Sequence, residues 1–134
     1  MNISFILIDD SELDCFIAKK IIEQTIKPSS IKVFRNAKPA LETIREKTAD
    51  IGQIVVILLD LHMPLMSGFQ FVEEFEKLPV EIQEKYKIII LSSTRNKNDI
   101  FRVLYYKNVS HFQEKPLTRE NLLTMVDSLK KDVS

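Results

Sequence analysis

The sequence predicts an α/β fold in which a doubly wound sheet of five parallel strands has helices on both faces. Short apolar runs alternate five times with segments of helical periodicity along the 134 residues. The strand runs are continuously apolar, as in parallel strands that are covered on both sides. Glycine occurs only twice and no Gly/Ser-rich linker divides the sequence, so we expect one domain over residues 1–134.

Each predicted strand is an apolar run too short to form a helix of its own. The five runs are residues 3–8 (ISFILI), 31–34 (IKVF), 54–59 (IVVILL), 87–91 (KIIIL) and 111–114 (HFQE). The carboxyl ends of parallel strands meet at one edge of the sheet, and ligands bind outside that edge in folds of this class. Functional residues are therefore expected directly after the strands.

The helices between the strands are predicted from their apolar spacing and their caps. The first runs from Asp14 to about Ile26, and its expected buried face is Leu13, Phe16, Ile17 and Ile21. The second is capped by Asn36, and its expected buried face is Ala37, Ala40, Leu41 and Ile44. The third is capped by Ser67 and closed by Pro79, and its expected buried residues are Phe71, Val72, Phe75 and Leu78.

Two further helices complete the pattern. The fourth runs from about Asn96 to Tyr106, and its expected buried residues are Ile100, Val103 and Leu104. The last extends from Thr118 to Leu129. Its start is only a near match to a capping box, because Asn121 stands where that motif has Glu or Gln.

Composition excludes several classes of function. Nineteen basic and nineteen acidic residues give a formal net charge of zero, so the chain lacks the basic surplus of a nucleic-acid binder. No apolar run approaches the ~18 residues of a membrane span, and the acidic start does not read as a signal peptide. We therefore expect a cytoplasmic protein. The single cysteine, Cys15, excludes an internal disulfide and is interpreted as a packed helix residue.

Reactive side chains follow four of the five strands. They are Asp9 and Asp10, then Asp60, then Ser92 to Thr94, and finally Lys115. Converging carboxylates repel one another by roughly several kcal/mol per pair. Either their pKa values therefore rise, or a cation binds between them. Oxygen ligands suit Mg²⁺, and a lysine with a hydroxyl suits a transferring phosphoryl group. Asp60 then remains as the nucleophile.

Each of these residues also has an ordinary structural explanation when it is taken alone. The pair Asp9 and Asp10 could only cap a helix, and Lys115 could be a solvated charge. The complete set is harder to explain in this way, because it requires a coincidence at four strand ends on the same edge of the sheet.

These motifs resemble the receiver domain of two-component response regulators. The matching segments are LIDDSELD (7–14), ILLDLHMPLMSG (57–68), IIILSST (88–94) and FQEKPLT (112–118). The resemblance covers residues 3 to 129 and is to the single-domain, chemotaxis type without an output domain. It implies a flavodoxin-like (βα)5 fold with strand order 2-1-3-4-5.

The resemblance implies a role for each residue of the site. Asp60 accepts a phosphoryl group from a histidine kinase or a histidine phosphotransfer protein, and the protein is not a turnover enzyme. Asp10 binds Mg²⁺ (or Mn²⁺) directly, Asp9 assists, and Asp60 and the backbone carbonyl of His62 are further ligands. Lys115 pairs with the phosphate, and its peptide bond to Pro116 is cis.

Other implied roles concern signalling. Ser92 and Phe112 form the switch, and the side chains of His62 and Thr94 modulate dephosphorylation. The segment before Phe112, Asn108 to His111, lacks the glycine that receivers commonly have there. The resemblance implies a protein target downstream, and either a monomer or a dimer that forms on phosphorylation.

Two aromatic residues of the fourth helix, Phe101 and Tyr105, lie off its buried face. Either they partly cover the sheet edge, or they belong to an exposed face, made by the fourth helix, fifth strand and last helix, that binds partners.

Three other functions are compatible with parts of this pattern. A haloacid-dehalogenase-like phosphatase also uses an aspartate nucleophile and Mg²⁺, but it needs an acid two positions later, where this chain has His62. A flavodoxin-like cofactor carrier needs a phosphate-binding loop after the first strand, where this chain has acidic residues. A receiver that only acts as a docking scaffold would not need the complete set of acids, serine and lysine.

Overall fold

The computed structural model describes residues 2–46 and 53–133, and these form one five-stranded parallel sheet in the order β2-β1-β3-β4-β5. The strands are β1 (Asn2–Ile8), β2 (Ile31–Phe34), β3 (Gln53–Leu59), β4 (Tyr86–Ser92) and β5 (Val109–Glu114). The predicted number of strands, their parallel direction and their order are all confirmed. Ser110 forms a bulge in β5, because Ile88 and Ile89 pair with Val109 and His111 respectively.

Six helices surround the sheet in the described part of the chain. They are α1 (Glu12–Thr25), α2 (Ala37–Glu46), α3 (Gly68–Phe75), α4 (Val80–Gln83), α5 (Lys97–Leu104) and α6 (Arg119–Val133). The single turn α4 was not predicted, so the predicted fourth and last helices correspond to α5 and α6. No helix among the described residues is long and apolar enough to cross a membrane.

Two separate apolar cores cover the two faces of the sheet, as a doubly wound fold requires. Alternate residues of β3 contribute to each: Val55, Ile57 and Leu59 pack with α2 and α3, whereas Ile54, Val56 and Leu58 pack with α1 and α6. The central strands are thus buried on both sides. This holds their carboxyl ends in fixed positions at one edge of the sheet.

The predicted buried face of α1 is wrong for three of its four residues, whereas Ile21 is half-buried and packs against the core on the α1 and α6 side of the sheet. Leu13 and Phe16 are 66% and 59% exposed and Ile17 is also exposed, whereas the residues that face the sheet are Cys15, Ala18 and Ile22. The buried face of α1 thus combines two small side chains with Ile22, and the large apolar residues Leu13 and Phe16 point outward. Cys15 is a buried free thiol, as expected.

Two other buried faces were predicted with mixed success. All four residues predicted for α2 are buried, as are the four predicted for α3 and the turn after it, although α3 itself ends at Phe75. In α5 only Val103 is buried, because Leu104 is 45% exposed and Ile100 is half-buried. The short helix α5 touches the sheet over a narrower stripe than its apolar residues suggest.

The predicted caps are found in the structure. Ser67 forms a reciprocal capping box with Gln70 at the start of α3. The backbone N–H of Lys38 donates to Asn36 Oδ1 at 3.2 Å. At α6, Thr118 and Asn121 exchange two backbone-to-side-chain hydrogen bonds of 2.9 and 3.2 Å. The near match in the sequence is therefore a working capping box, in which an amide oxygen of Asn replaces that of Gln.

Candidate functional site

Three carboxylates meet at the carboxyl edge of β1 and β3. Ile8 and Leu59 are paired in the sheet, and the backbone N–H of Asp60 donates to the carbonyl of Ile8 at 3.0 Å. Carboxylate oxygens of Asp9, Asp10 and Asp60 all lie within 4.8 Å of one another. Asp9 and Asp60 are buried and Asp10 is exposed. The predicted convergence of these residues is confirmed.

Lys115 joins this cluster from the end of β5. Its Nζ lies 2.8 Å from Asp9 Oδ2, 2.7 Å from Asp14 Oδ2 and 3.8 Å from Asp60 Oδ1, and its side chain is only 14% exposed. The backbone N–H of Lys115 donates to the carbonyl of Ser92 at 2.9 Å, which fixes the ends of β4 and β5 together. The Lys115–Pro116 bond is cis, as the resemblance implies.

The cluster carries more negative than positive charge, because three carboxylates and Asp14 lie near Lys115. Burial raises the pKa of Asp60 from 3.8 to about 6; nearby Lys115 opposes this shift and Asp9 adds to it. Burial by itself lowers the pKa of Lys115, but hydrogen bonds with Asp14 and Asp9 outweigh it, so this pKa is raised. At neutral pH the lysine is therefore charged and Asp60 is mostly ionised, although ionisation of Asp60 lowers the stability of the folded protein.

The donor set fits a divalent cation. All the side-chain donors are carboxylate oxygens, which magnesium prefers over nitrogen or sulfur ligands. A bound cation would relieve the repulsion between Asp9, Asp10 and Asp60. The backbone carbonyl of His62 stays a predicted ligand.

Gly68 is required by the close folding of the loop between β3 and α3. A Cβ atom at this position would lie 2.8 Å from Leu61 Cα and still closer to the carbonyl oxygen of Asp60. The N–H of Gly68 also donates to the carbonyl of Leu61 at 2.9 Å. The glycine thus lets the start of α3 pack directly on the backbone that carries Asp60.

Ser92, Thr94 and His62 are linked above the end of β4. The buried Oγ of Ser92 accepts a hydrogen bond from the N–H of Thr94 at 3.2 Å. Thr94 Oγ1 donates to Asp99 Oδ2 at 3.2 Å, and the same oxygen lies 3.2 Å from His62 Nε2. Asp99, in the first turn of α5, therefore connects the loops that follow β3 and β4.

A comparison with protein families decides the class of the molecule. Residues 5–127 match the model of the response regulator receiver domain. The chain belongs to this family. The resemblance to receiver domains inferred from the motifs is thereby confirmed.

Known relatives of this receiver domain differ in length. The chain is 36% identical over 92 residues to the protein-glutamate methylesterase/protein-glutamine glutaminase of Treponema pallidum, which is 69% of this chain but only 21% of that protein. It also resembles the crystal structure of a response regulator receiver protein from Dyadobacter fermentans, with a TM-score of 0.80 and 31% identity over 92% of this chain and 98% of the other.

A third known structure shares the fold and contains a metal. The receiver domain of the sensor histidine kinase PA1611 from Pseudomonas aeruginosa has a TM-score of 0.75 and 15% identity, and covers 96% of this chain and 97% of its own. Its structure holds a magnesium ion coordinated in the active site cleft.

The alternative of a haloacid-dehalogenase-like phosphatase finds no support. The family match is to receiver domains. The position two residues after Asp60 is His62, which is 61% exposed and paired with Asp99, and no acid stands there.

Phe101 in α5 and Tyr105, which caps the end of that helix, are exposed. Phe101 and Tyr105 are 71% and 92% accessible, so the interpretation that they cover the sheet edge is wrong. Phe112, in contrast, is half-buried and packs against the core on the α2, α3 and α5 side of the sheet. Phe112 belongs to β5, which is the strand beside α5.

Three residues around the site were not assigned by the sequence. Asp14 contacts Lys115, Asp99 contacts His62 and Thr94, and Arg35 donates to the carbonyl of Asp10 from Nε at 3.2 Å and Nη2 at 2.9 Å. Asp14 and Asp99 share a local signal, since both are acids in the first turn of a helix that starts at the functional edge. Arg35 follows β2 directly, so its position after a strand was the available signal.

Proposed function

We propose that this receiver domain accepts a phosphoryl group on Asp60 and uses it to change the surface formed by α5, β5 and α6. The observation that carries the proposal is the buried Asp60 carboxylate, which has Lys115 Nζ 3.8 Å from one oxygen and two further carboxylates within 4.8 Å. A nucleophile, a cation and a set of metal ligands therefore lie within one site.

The proposed chemistry is an in-line displacement at phosphorus. An oxygen of Asp60 attacks the phosphorus of a phosphohistidine on a histidine kinase or phosphotransfer protein. The new P–O bond forms as the P–N bond breaks, and the departing imidazole nitrogen takes a proton from water. Lys115 neutralises charge on the transferred oxygens. The chain then acts on its own side chain and is not a turnover enzyme.

Asp10, Asp9, Asp60 and the carbonyl of His62 are the proposed holders of Mg²⁺, with Mn²⁺ as a substitute. When bound, the cation supplies neutralisation of the phosphoryl oxygens. The magnesium ion of the Pseudomonas aeruginosa receiver domain supports this assignment, because that protein shares the fold. The oxygen-only donor set of this chain supports it independently.

The switch is proposed to run from Ser92 to Phe112. The buried hydroxyl of Ser92 would turn toward the phosphoryl group, and half-buried Phe112 would change its packing beside α5. The exposed Phe101 and Tyr105 are the proposed partner contacts.

Further assignments from the sequence also stay predictions. His62 and Thr94, held together by Asp99, would influence the lifetime of the phosphoryl group. We also propose that the protein acts on a protein target, is either a monomer or a dimer that forms on phosphorylation, is cytoplasmic, and has a single receiver domain over residues 1–134.

The proposal is tested by phosphorylation with a small-molecule donor. The wild-type chain and Asp60→Asn are incubated with acetyl phosphate and Mg²⁺, and intact mass is measured with and without a chelator. We expect the wild type to gain one phosphoryl group only when Mg²⁺ is present, and Asp60→Asn to gain none. Equal incorporation in both proteins, or none in the wild type, would contradict the proposal. Asp127→Asn, an exposed change on α6, serves as the matched control.

A further inference from the structure

We propose that Asp14 is a positioning residue for phosphoryl transfer, which orients the ammonium group of Lys115 toward Asp60. The inference rests on the proposed function, because it concerns the lysine that would meet the phosphoryl group on Asp60. Asp14 contributes the shortest of the three carboxylate contacts of Lys115, at 2.7 Å.

The geometry leaves one N–H of the lysine for the phosphoryl group. A lysine ammonium carries three N–H donors. Asp14 and Asp9 accept two of them, at 2.7 and 2.8 Å. Asp60 Oδ1 lies 3.8 Å away, which is longer than a hydrogen bond. Two fixed partners therefore leave the third donor unused by Asp14 and Asp9, so it can donate to an oxygen that arrives with the phosphoryl group on Asp60.

Of the two fixed partners, Asp14 is the one whose contact is independent of metal. Asp9 belongs to the carboxylate cluster with Asp10 and Asp60, so a bound cation would compete with Lys115 for its oxygens. Asp14 lies outside that cluster. Its contact with Lys115 can persist while Asp9 binds the cation. The lysine side chain then needs no rearrangement when the phosphoryl group is transferred.

The start of α1 holds Asp14 in place. The N–H of Asp14 donates to Ser11 Oγ at 3.2 Å, and the N–H of Ser11 donates to Asp9 Oδ1 at 2.9 Å. The two carboxylates that hold Lys115 are thus tied to one short segment of backbone. Lysine is a flexible side chain, and loss of one of two anchors would release much of that flexibility within the site.

An acid in the first turn of a helix also stabilises the helix through its dipole, so this effect must be separated from the proposed one. Glu12 offers the matched control. It lies in the same turn of α1, but its side chain is 87% exposed and meets Arg35 at 3.7 Å. Glu12→Gln removes the same charge from the same turn without touching Lys115.

The test measures the rate of phosphorylation of the full chain at saturating acetyl phosphate and Mg²⁺ by intact mass. We expect Asp14→Ala to lower the rate constant about tenfold, a change typical of lost positioning. Asp14→Asn should lose less, because its amide oxygen still accepts a hydrogen bond. Glu12→Gln should keep the wild-type rate. A full rate in Asp14→Ala overturns the inference alone, whereas a wild type that takes up no phosphoryl group overturns the proposed function with it.

A double-mutant cycle shows whether Asp14 acts through Lys115. In a Lys115→Ala background, Asp14→Ala should cause no further loss of rate. The losses of stability caused by the two substitutions, measured from urea midpoints without metal, should also be non-additive. If the rate of Lys115→Ala is too slow to measure, this stability cycle tests the coupling between the two residues. Equal effects of Asp14→Ala in both backgrounds would overturn the inference.

Discussion

Replacing Asp60 by asparagine should stabilise the metal-free protein, and the gain should grow as the pH rises. The side chain of Asp60 is only 10% exposed, and burial raises its pKa from 3.8 to about 6. Its ionised form is therefore less stable in the folded protein than in the unfolded chain. Asparagine has nearly the shape of the protonated acid but cannot ionise.

The size of the effect follows from the pKa shift. The shift amounts to about two pH units, and at about 1.4 kcal/mol per unit it corresponds to about 3 kcal/mol. Because the folded-state pKa is the higher one, the wild type has its full stability below about pH 4 and loses it progressively as the pH rises through about 6. The difference between Asp60→Asn and wild type should thus be near zero at pH 4 and reach about 3 kcal/mol at pH 8.

Urea unfolding in a chelating buffer at five pH values between 4 and 8 measures this difference. At pH 8 the midpoint of Asp60→Asn should exceed that of the wild type by roughly 1–2 M urea. Asp127→Asn on the exposed side of α6 should change stability by no more than about 0.5 kcal/mol at any pH. A difference that is constant across pH, or a less stable Asp60→Asn, would refute the account of the site as a cluster with excess negative charge.

Three further predictions concern the scaffold of the site. Gly68→Ala should lower the free energy of unfolding by at least about 2 kcal/mol, measured by urea unfolding, because its Cβ would press on the backbone of Asp60 and Leu61; a neutral effect would contradict the close approach. Cys15 should react with a thiol reagent at pH 8 far more slowly in the native protein than in urea, because burial raises its pKa to about 11; equal rates would contradict its burial. Asn121→Ala should cost about 1 kcal/mol by the same unfolding measurement, because it removes one half of the cap on α6; no loss would show that the box contributes nothing.

The site could be predicted from the sequence because its position depends on the strands alone. Parallel strands end at the same edge, so Asp9, Asp60, Ser92 and Lys115 could be brought together without knowing how any helix is rotated. The carboxylate cluster and the lysine contact then appear in the structure as expected.

The helix faces were less predictable. In α1 the sequence offers two stripes, and the prediction chose the one with the larger apolar residues, Leu13 and Phe16. The sheet instead contacts the stripe of Cys15, Ala18 and Ile22, two of which have small side chains. Hydrophobicity alone does not distinguish a face that packs from one that is left exposed.

Long-range ion pairs were also missed. Asp14 and Lys115 are 101 positions apart in the chain, and the contact depends on the rotation of α1 that the sequence did not give. The contact of Asp99 in α5 with His62, in the loop after β3, likewise joins two elements whose relative placement the sequence did not predict. Both residues could be recognised as acids near the functional edge, but their partners required the structure.

Mapping the modified residue shows whether Asp60 is the phosphoryl acceptor. The wild-type chain is phosphorylated with acetyl phosphate and Mg²⁺ and then treated with borohydride, which reduces an aspartyl phosphate to homoserine. Peptide mass spectrometry locates that residue. We expect homoserine at position 60 and unchanged Asp9, Asp10 and Asp14. Homoserine at any of those three positions, with Asp60 unchanged, would contradict this assignment.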